Sequence, residues 1–203
     1  MRVIVTTHDA QAYVIPLFIE HFERAWPTCP YGVELVGCTQ MPDVPARYQV
    51  TLLGEDQSWS SNMLKFLGAT TEPFLLLLED FLITEIEWEA FDEAVQAIHR
   101  PTVGQVRLRP CPAPTLPYSE NLGRIDKSEP YALSLQAALW RPQVFRDLLI
   151  PGENPWQVET KGARRAKNYR EYDFLGTWNW TLKYREYLRR GKPIEETVKW
   201  LEG

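Results

Sequence analysis

Two adjacent carboxylates, Glu79 and Asp80, directly follow an uninterrupted apolar run at residues 74–78. Such a pair can hold a hard divalent cation, Mn²⁺ or Mg²⁺, because these ions prefer oxygen ligands and can bridge the phosphates of a substrate. The bound cation would neutralise a diphosphate and make it a better leaving group. The alternative interpretation is that the pair is solvated or caps the turn that follows.

The first apolar run of the chain, Val3 to Val5, is followed by a second polar segment. The members of this segment are Thr6, Thr7, His8 and Asp9. Ligands of open α/β sheets bind beyond the carboxyl ends of the strands, where helix N-termini also point. We therefore expect both polar segments to lie at one ligand-binding edge. For the histidine, contact with a base or a phosphate competes with hydrogen bonding to the neighbouring backbone.

The elements that must position these residues alternate between strands and helices. Apolar or β-branched runs predict strands at residues 2–7, 33–38, 48–53, 74–78, 103–108 and 132–140. Apolar residues at helical spacing, with caps and prolines at the ends, predict helices at residues 10–26, 60–68, 87–99, 141–149 and 154–167. This order predicts an α/β fold, a single Rossmann-like α/β/α sandwich with a mostly parallel central sheet and a helical C-terminal part.

Length and composition predict one globular domain. The chain has 203 residues, a net charge of -5 and three cysteines. The negative charge argues against a general nucleic-acid binder, and the odd cysteine count argues against a disulfide framework or a zinc knuckle. No apolar stretch is long enough to span a bilayer and no signal peptide is apparent, so we expect a cytoplasmic protein.

Several segments resemble GT-A-fold nucleotide-sugar glycosyltransferases of the family 2 type. Residues 58–64 and 73–81 are similar to the part of that family in which a short helix precedes an apolar strand that ends in a DxD-type motif. Residues 3–9 resemble its nucleotide-binding start, and residues 134–141 and 154–159 resemble its acceptor half. The motif in this chain is Glu-Asp-Phe and not Asp-x-Asp. The resemblance divides the chain into a nucleotide-binding half at about 1–109, an acceptor half at about 110–176 and a final part at about 177–203.

The resemblance implies a hexosyltransferase-type enzyme that transfers a sugar from a nucleoside diphosphate sugar, such as a UDP-sugar, to an acceptor hydroxyl. Asp80 would be the metal ligand, and the segment at residues 6–9, Lys65 and Glu79 would lie at the nucleotide. Glu159 would be the general base of an inverting reaction, which must remove the acceptor proton as the hydroxyl attacks. Asp173 is the competing candidate for that role.

Other side chains are candidates for substrate binding. Trp156 and Trp140 could stack on a sugar ring, although tryptophans also anchor cores and loops; we favour the former because it adjoins the predicted base. Gln136 could bind a hydroxyl group. Positive charge for the diphosphate is available from Lys65, Arg107, Arg109 or the basic cluster at residues 161–167. A solvated helix face is the alternative for that cluster.

Two other functions are compatible with these residues. The acceptor could be a modified DNA base or a small molecule, in which case nucleic acid enters only as an acceptor. The fold could also serve a non-catalytic carbohydrate or protein interaction domain. Nucleotidyl transfer is less attractive, because no Gly-rich, basic phosphate loop lies near the first strand.

Overall fold

The structure is a computed structural model of residues 1–203 and contains thirteen strands and six α-helices. The strands are β1 (Arg2–Thr6), β2 (Val33–Gly37), β3 (Tyr48–Leu52), β4 (Phe74–Leu78), β5 (Phe81–Ile86), β6 (Val103–Arg107), β7 (Leu116–Pro117), β8 (Leu122–Arg124), β9 (Ala138–Trp140), β10 (Asp173–Thr177), β11 (Leu182–Glu186), β12 (Leu188–Arg189) and β13 (Lys192–Pro193). The helices are α1 (Ile15–Ala25), α2 (Trp59–Leu67), α3 (Trp88–Ile98), α4 (Pro142–Leu148), α5 (Pro155–Ala166) and α6 (Glu195–Glu202), with a 3-10 turn at Ala12–Val14 before α1.

Nine strands form one sheet in the order β3-β2-β1-β4-β9-β6-β10-β8-β7. The pairs β3–β2, β2–β1, β1–β4 and β6–β10 are parallel. β9 lies antiparallel between β4 and β6, and the remaining two strands complete the far edge in antiparallel pairs. The predicted α/β fold with a mostly parallel central sheet is therefore confirmed.

The leucine-rich strand β4 lies at the centre of this sheet and is covered on both faces. Leu75 and Leu77 belong to one hydrophobic core, whereas Phe74 and Leu76 belong to the other. All four side chains are fully buried. Full burial of such a side chain stabilises the fold by about 1.5–3 kcal/mol, which explains why the run contains no polar alternation.

The helices are divided between the two faces. The first core contains Phe18 and Phe22 from α1 and Phe91 from α3. The second core contains Met63 from α2 and Val158 from α5, together with apolar residues of α4. The protein is therefore a three-layer sandwich. None of its helices is both long enough and apolar enough to cross a bilayer.

Parallel pairing brings the ends of β1 and β4 to the same edge. Thr6 is paired with Leu78 in the register of these strands, and the amide of Glu79 donates to the carbonyl oxygen of Thr6 at 3.3 Å. The polar segments that follow the two strands therefore start side by side, as the sequence predicts.

The chain after Thr177 differs from the helical part that the sequence predicted. β11 pairs antiparallel with β5, β12 pairs with β13, and only Glu195–Glu202 is helical. The reason is a period of two, since Leu182 and Tyr184 are buried while Lys183 and Arg185 are more exposed. Gly191 lies in the turn of the hairpin formed by β12 and β13.

The strand predicted at residues 132–140 is also shorter than expected. Only Ala138–Trp140 forms a strand. The backbone before it is held in a loop by buried Arg107, which donates hydrogen bonds to the carbonyl oxygens of Tyr131 and Ala132. The strand β5, which pairs with β11, has no counterpart in the sequence-based prediction.

Candidate active site

A cavity of about 710 Å³ opens at the carboxyl edge of the parallel strands. Its wall is formed by the ends of β1, β2 and β4, the first turns of α2 and α5, and the hairpin β12–β13. The residues predicted from the sequence that line it are Thr6, Thr7, His8, Glu79, Asp80 and Trp156. The structure thus brings the two polar strand ends together with a tryptophan from the second half of the chain.

Glu79 and Asp80 lie in surroundings that disfavour their negative charge. The pKa of Glu79 is raised to about 8, mainly by burial and to a smaller extent by the charge of Asp80. The pKa of Asp80 is raised to about 6, mainly by burial and to a smaller extent by the charge of Glu186. A cation or a cationic ligand group in the cavity would favour the ionised form of either carboxyl.

The carboxylate oxygens of this pair suit a hard divalent ion, but they do not form a closed cage. No group of three or more His, Cys, Asp or Glu side chains is close enough to hold a metal. Mg²⁺ sites commonly take one or two carboxylates from the protein and the remaining ligands from substrate phosphates and water. The residues therefore fit a metal that binds together with a diphosphate, and Asp80 is the more exposed of the two available ligands.

Two helices begin at the cavity, each with a defined cap. The Oγ of Ser58 accepts a hydrogen bond from the amide of Ser61 at 3.2 Å and starts α2. In a capping box at the start of α5, Asn154 and Gln157 each accept a bond from the other's amide, at 2.9 and 3.0 Å, with Pro155 in the first turn. Because the caps engage these amides, the helix dipole is what makes each start favourable for an anion.

Hydrogen bonds of Ser60 join these two helix starts. Its Oγ donates to the carbonyl oxygen of Ile150 at 2.7 Å, just before α5. Glu153, which is buried, is held from the other side by Arg165 in two bonds of 3.0 and 2.6 Å. The start of α5 is therefore fixed relative to α2, and with it the wall of the cavity.

Asp9 and Lys65 were predicted at the nucleotide, but neither lines the cavity. Asp9 accepts bonds from the amides of Thr39 and Gln40 at 2.9 and 3.2 Å, which ties the loop after β1 to the loop after β2. These hydrogen bonds lower the pKa of the Asp9 carboxyl, and the bond from the Thr39 side chain has the largest effect. Lys65 donates to the carbonyl oxygen of Leu53 at 2.5 Å. Both residues shape the loops around the cavity.

Arg109 and Gln136, predicted to bind substrate, contact each other just outside the cavity. Nη1 of Arg109 donates to Oε1 of Gln136 at 2.6 Å and to Glu186 at 3.1 Å. The guanidinium lies over the ring of Trp180, 4.5 Å from its centroid. Glu186 is paired with Phe81, the residue after Asp80, so this polar cluster adjoins the cavity on the side of Asp80.

Glu159, the predicted general base, lies on α5 but does not line the cavity. Its Oε1 accepts bonds from the Oγ of Ser134 at 2.9 Å and from the amide of Leu135 at 2.7 Å. The carboxylate is half-buried and holds the segment that leads to the polar cluster. The competing candidate, Asp173, forms an ion pair with Arg124 at 3.3 Å.

Two candidates from the sequence are placed where they cannot reach a ligand. Arg107 is fully buried and donates to the carbonyl oxygens of Cys111, Tyr131 and Ala132, and burial lowers its pKa to about 10. It fixes two loops and is not available to a diphosphate. Trp140 is likewise fully buried and cannot stack on a sugar.

Arg190, which was not singled out from the sequence, lines the cavity from the turn of the hairpin β12–β13. The available signal was the Arg-Gly pair, because glycine accepts the positive φ of a tight turn. Asn62 also lines the cavity and was not among the predicted site residues.

Comparisons with known proteins identify the fold. No family model matches the chain, and no curated protein matches it either. Among solved structures, the mannosyltransferase PcManGT from Pyrobaculum calidifontis, in complex with GDP-Man and Mn²⁺, aligns with 94% of this chain at a TM-score of 0.60 and 16% identity. TarS 1–349 from S. aureus aligns with 86% at a TM-score of 0.55 and 16% identity, and it is also known in complex with UDP.

A third solved structure is a cytidylyltransferase from Leptospira borgpetersenii, with a TM-score of 0.53 and 8% identity. It is matched over 99% of this chain and 93% of its own length. By contrast, the chain spans only 57% and 58% of PcManGT and of TarS 1–349. At these identities the comparisons establish the GT-A-like, Rossmann-type fold and leave the reaction to be argued from the site.

Proposed function

We propose that this protein is a glycosyltransferase that binds a nucleoside diphosphate sugar in the cavity and transfers the sugar to an acceptor hydroxyl. One observation carries the proposal: the ends of β1 and β4 and the starts of α2 and α5 surround a single cavity of about 710 Å³. This volume lies within the range of about 300–1,000 Å³ that is usual for ligand pockets. Helix starts favour the anionic part of such a donor, and polar strand ends favour its nucleoside.

Different residues of the cavity contact different parts of the donor. Thr6, Thr7 and His8 contact the nucleotide, and the exposed ring of Trp156 packs on the sugar. Asp80 would hold a divalent metal, Mn²⁺ or Mg²⁺, which would supply charge neutralisation at the diphosphate when bound. The bound GDP-Man and Mn²⁺ of PcManGT support this assignment by analogy of fold.

The acceptor binds beside Asp80, at the cluster of Arg109 and Gln136. The reaction breaks the bond between the anomeric carbon and the diphosphate oxygen, which keeps the electron pair. The acceptor oxygen forms the new bond with inversion, and its proton goes to Glu159. Glu159 is one helical turn from Trp156, and its carboxylate accepts from Ser134 and Leu135 beside Gln136, which supports a position on the acceptor side.

Nucleotidyl transfer is the second candidate, favoured by the nearly full-length match to the cytidylyltransferase. That reaction releases inorganic diphosphate from a nucleoside triphosphate, whereas glycosyl transfer releases a nucleoside diphosphate. Incubation with each nucleoside triphosphate and a sugar phosphate, followed by an assay for inorganic diphosphate, distinguishes them. The absence of a basic, Gly-rich loop after β1 favours glycosyl transfer.

DNA as the acceptor depends on the exposed basic side chains of α5. Lys161, Arg164 and Lys167 are exposed, but Arg165 is engaged by Glu153. Salt-sensitive binding to DNA is the measurement for this alternative.

A thermal-shift panel tests the proposed function. Uridine, guanosine and cytidine diphosphate sugars are added to the protein with Mn²⁺ or with EDTA, because a ligand that binds only the folded state raises its midpoint. We expect one donor to raise the midpoint, and Asp80→Asn to remove the part of the rise that needs Mn²⁺. A panel without any shift contradicts the proposal, and a shift without turnover supports a non-catalytic interaction domain.

A further inference from the structure

The hairpin β12–β13 is closed by a two-residue turn, Arg190-Gly191, in an unusual conformation. Arg189 pairs with Lys192 on either side of it. Both turn residues have positive φ, 53° for Arg190 and 74° for Gly191. This is the pattern of a type I′ turn, in which Asn, Asp or Gly normally occupies the first position. An arginine is disfavoured there, because its Cβ crowds the backbone in the left-handed region.

The position of this hairpin is fixed relative to the central strand. The amide of Tyr187 donates to the carbonyl oxygen of Asp80 at 2.8 Å, and the amide of Ile194 donates to the carbonyl oxygen of Tyr187 at 2.8 Å. Leu188 is buried beneath the turn. The turn therefore lies over the cavity because its base is attached to the end of β4.

Arg190 is the only lysine or arginine that lines the cavity. Three carboxyl groups line the same space, those of Asp56, Glu79 and Asp80. None of the cations considered from the sequence lines the cavity, and Lys65 is engaged by the carbonyl oxygen of Leu53. A dianionic ligand in this cavity thus meets one lysine or arginine, Arg190.

We propose that Arg190 binds the diphosphate of the donor and stabilises it as the leaving group, and that the disfavoured turn is retained because it directs the guanidinium into the cavity. This inference rests on the proposed function. The planar guanidinium can donate two parallel hydrogen bonds to phosphate oxygens, which an ammonium group cannot do. Strained backbone that persists at a ligand site is a common sign of such a role.

The charge on the diphosphate grows as the anomeric bond breaks and the electron pair moves to the diphosphate oxygen. A cation in contact with the diphosphate oxygens stabilises that state more than it stabilises the bound donor, because the negative charge it meets is larger. Loss of Arg190 should consequently lower kcat as well as the affinity for a diphosphate, and it should leave contacts to the nucleoside unchanged.

The test compares Arg190→Gly, Arg190→Lys and the control Arg189→Gln. Arg189 is exposed on the adjacent strand and does not line the cavity. Glycine accepts positive φ without strain, so Arg190→Gly should unfold at a temperature no lower than the wild type. Binding of the nucleoside, its monophosphate and its diphosphate is measured by calorimetry, in EDTA and in Mn²⁺.

We expect Arg190→Gly to bind the diphosphate at least 10-fold more weakly and the nucleoside equally well. Arg190→Lys should lie between it and the wild type, and Arg189→Gln should match the wild type. Unchanged diphosphate binding by Arg190→Gly overturns the inference while the proposed function stands, as does an equal loss for nucleoside and diphosphate. A wild type that binds no nucleoside diphosphate overturns both.

Discussion

Ser60 and Glu153 exchange two hydrogen bonds that join the starts of two helices. The amide of Ser60 donates to the carbonyl oxygen of Glu153 at 3.1 Å, and the amide of Glu153 donates to the Oγ of Ser60 at 2.9 Å. Both residues are buried. α2 and α5 therefore meet the cavity as one unit, although about ninety residues separate them in the sequence.

Ser60→Ala should separate these helix starts. The substitution leaves the amide of Glu153 and the carbonyl oxygen of Ile150 without the hydroxyl, at a cost of about 1–3 kcal/mol for buried groups. We expect this loss in the free energy of unfolding measured in urea, together with weaker nucleotide binding. Ser128→Ala, at an exposed serine, is the control; equal stability of the two variants contradicts the prediction.

The ion pair of Glu153 and Arg165 should show energetic coupling. Its side chains are 6% and 22% exposed, so Glu153→Gln leaves a largely buried guanidinium without its carboxylate. We expect a loss of about 2 kcal/mol, below the 3–5 kcal/mol of fully buried pairs because water still reaches the arginine. In a double-mutant cycle with Arg165→Met, the double variant should be more stable than the sum of the single losses implies. Additive losses would show that the pair does not interact.

His21 should make the stability depend on pH. Its pKa is lowered from the ordinary value of 6.5, mainly by burial and to a smaller extent by the charge of Arg24. As the pH falls below 6.5, the unfolded chain binds a proton before the folded protein does, so stability is lost until the lowered pKa is passed. Each pKa unit of lowering corresponds to about 1.4 kcal/mol.

The experiment is urea unfolding between about pH 5 and pH 8. His21→Gln should flatten the decline below pH 6.5. His99→Gln, at an exposed histidine, should preserve the decline of the wild type. Parallel curves for the wild type and His21→Gln count against the prediction.

Glu159→Gln separates a chemical role from a structural one. The amide Oε1 of glutamine can still accept from Ser134 and Leu135, so we expect unchanged thermal stability. Loss of a general base should lower transfer by about 10²–10⁴-fold. Glu171→Gln, at an exposed glutamate, controls for charge. Full activity of Glu159→Gln would leave this residue with a positioning role only.

Local chemistry made part of the fold predictable. The leucine strand was identified because a sheet covered on both faces requires continuous apolar residues. The start of α5 at Asn154 was identified because a capping residue followed by proline satisfies the first turn of a helix. In both cases the information lies within a few residues.

The missed features depend on contacts between distant segments. β11 was interpreted as helix because its alternation is short and its partner, β5, lies about a hundred residues earlier. Arg190 was missed because only the bond from Tyr187 to Asp80 shows that the turn reaches the cavity. Lys65 was a reasonable cation by type, but the carbonyl oxygen that engages it is supplied by another loop.

The cavity has a wall from residue 6 near one end of the chain and another from residue 190 near the other. The nine-stranded sheet includes no residue after Thr177, whereas the hairpin that carries Arg190 lies later in the chain. Proteolysis between β10 and β12 would therefore leave that sheet paired and separate its polar strand ends from the arginine.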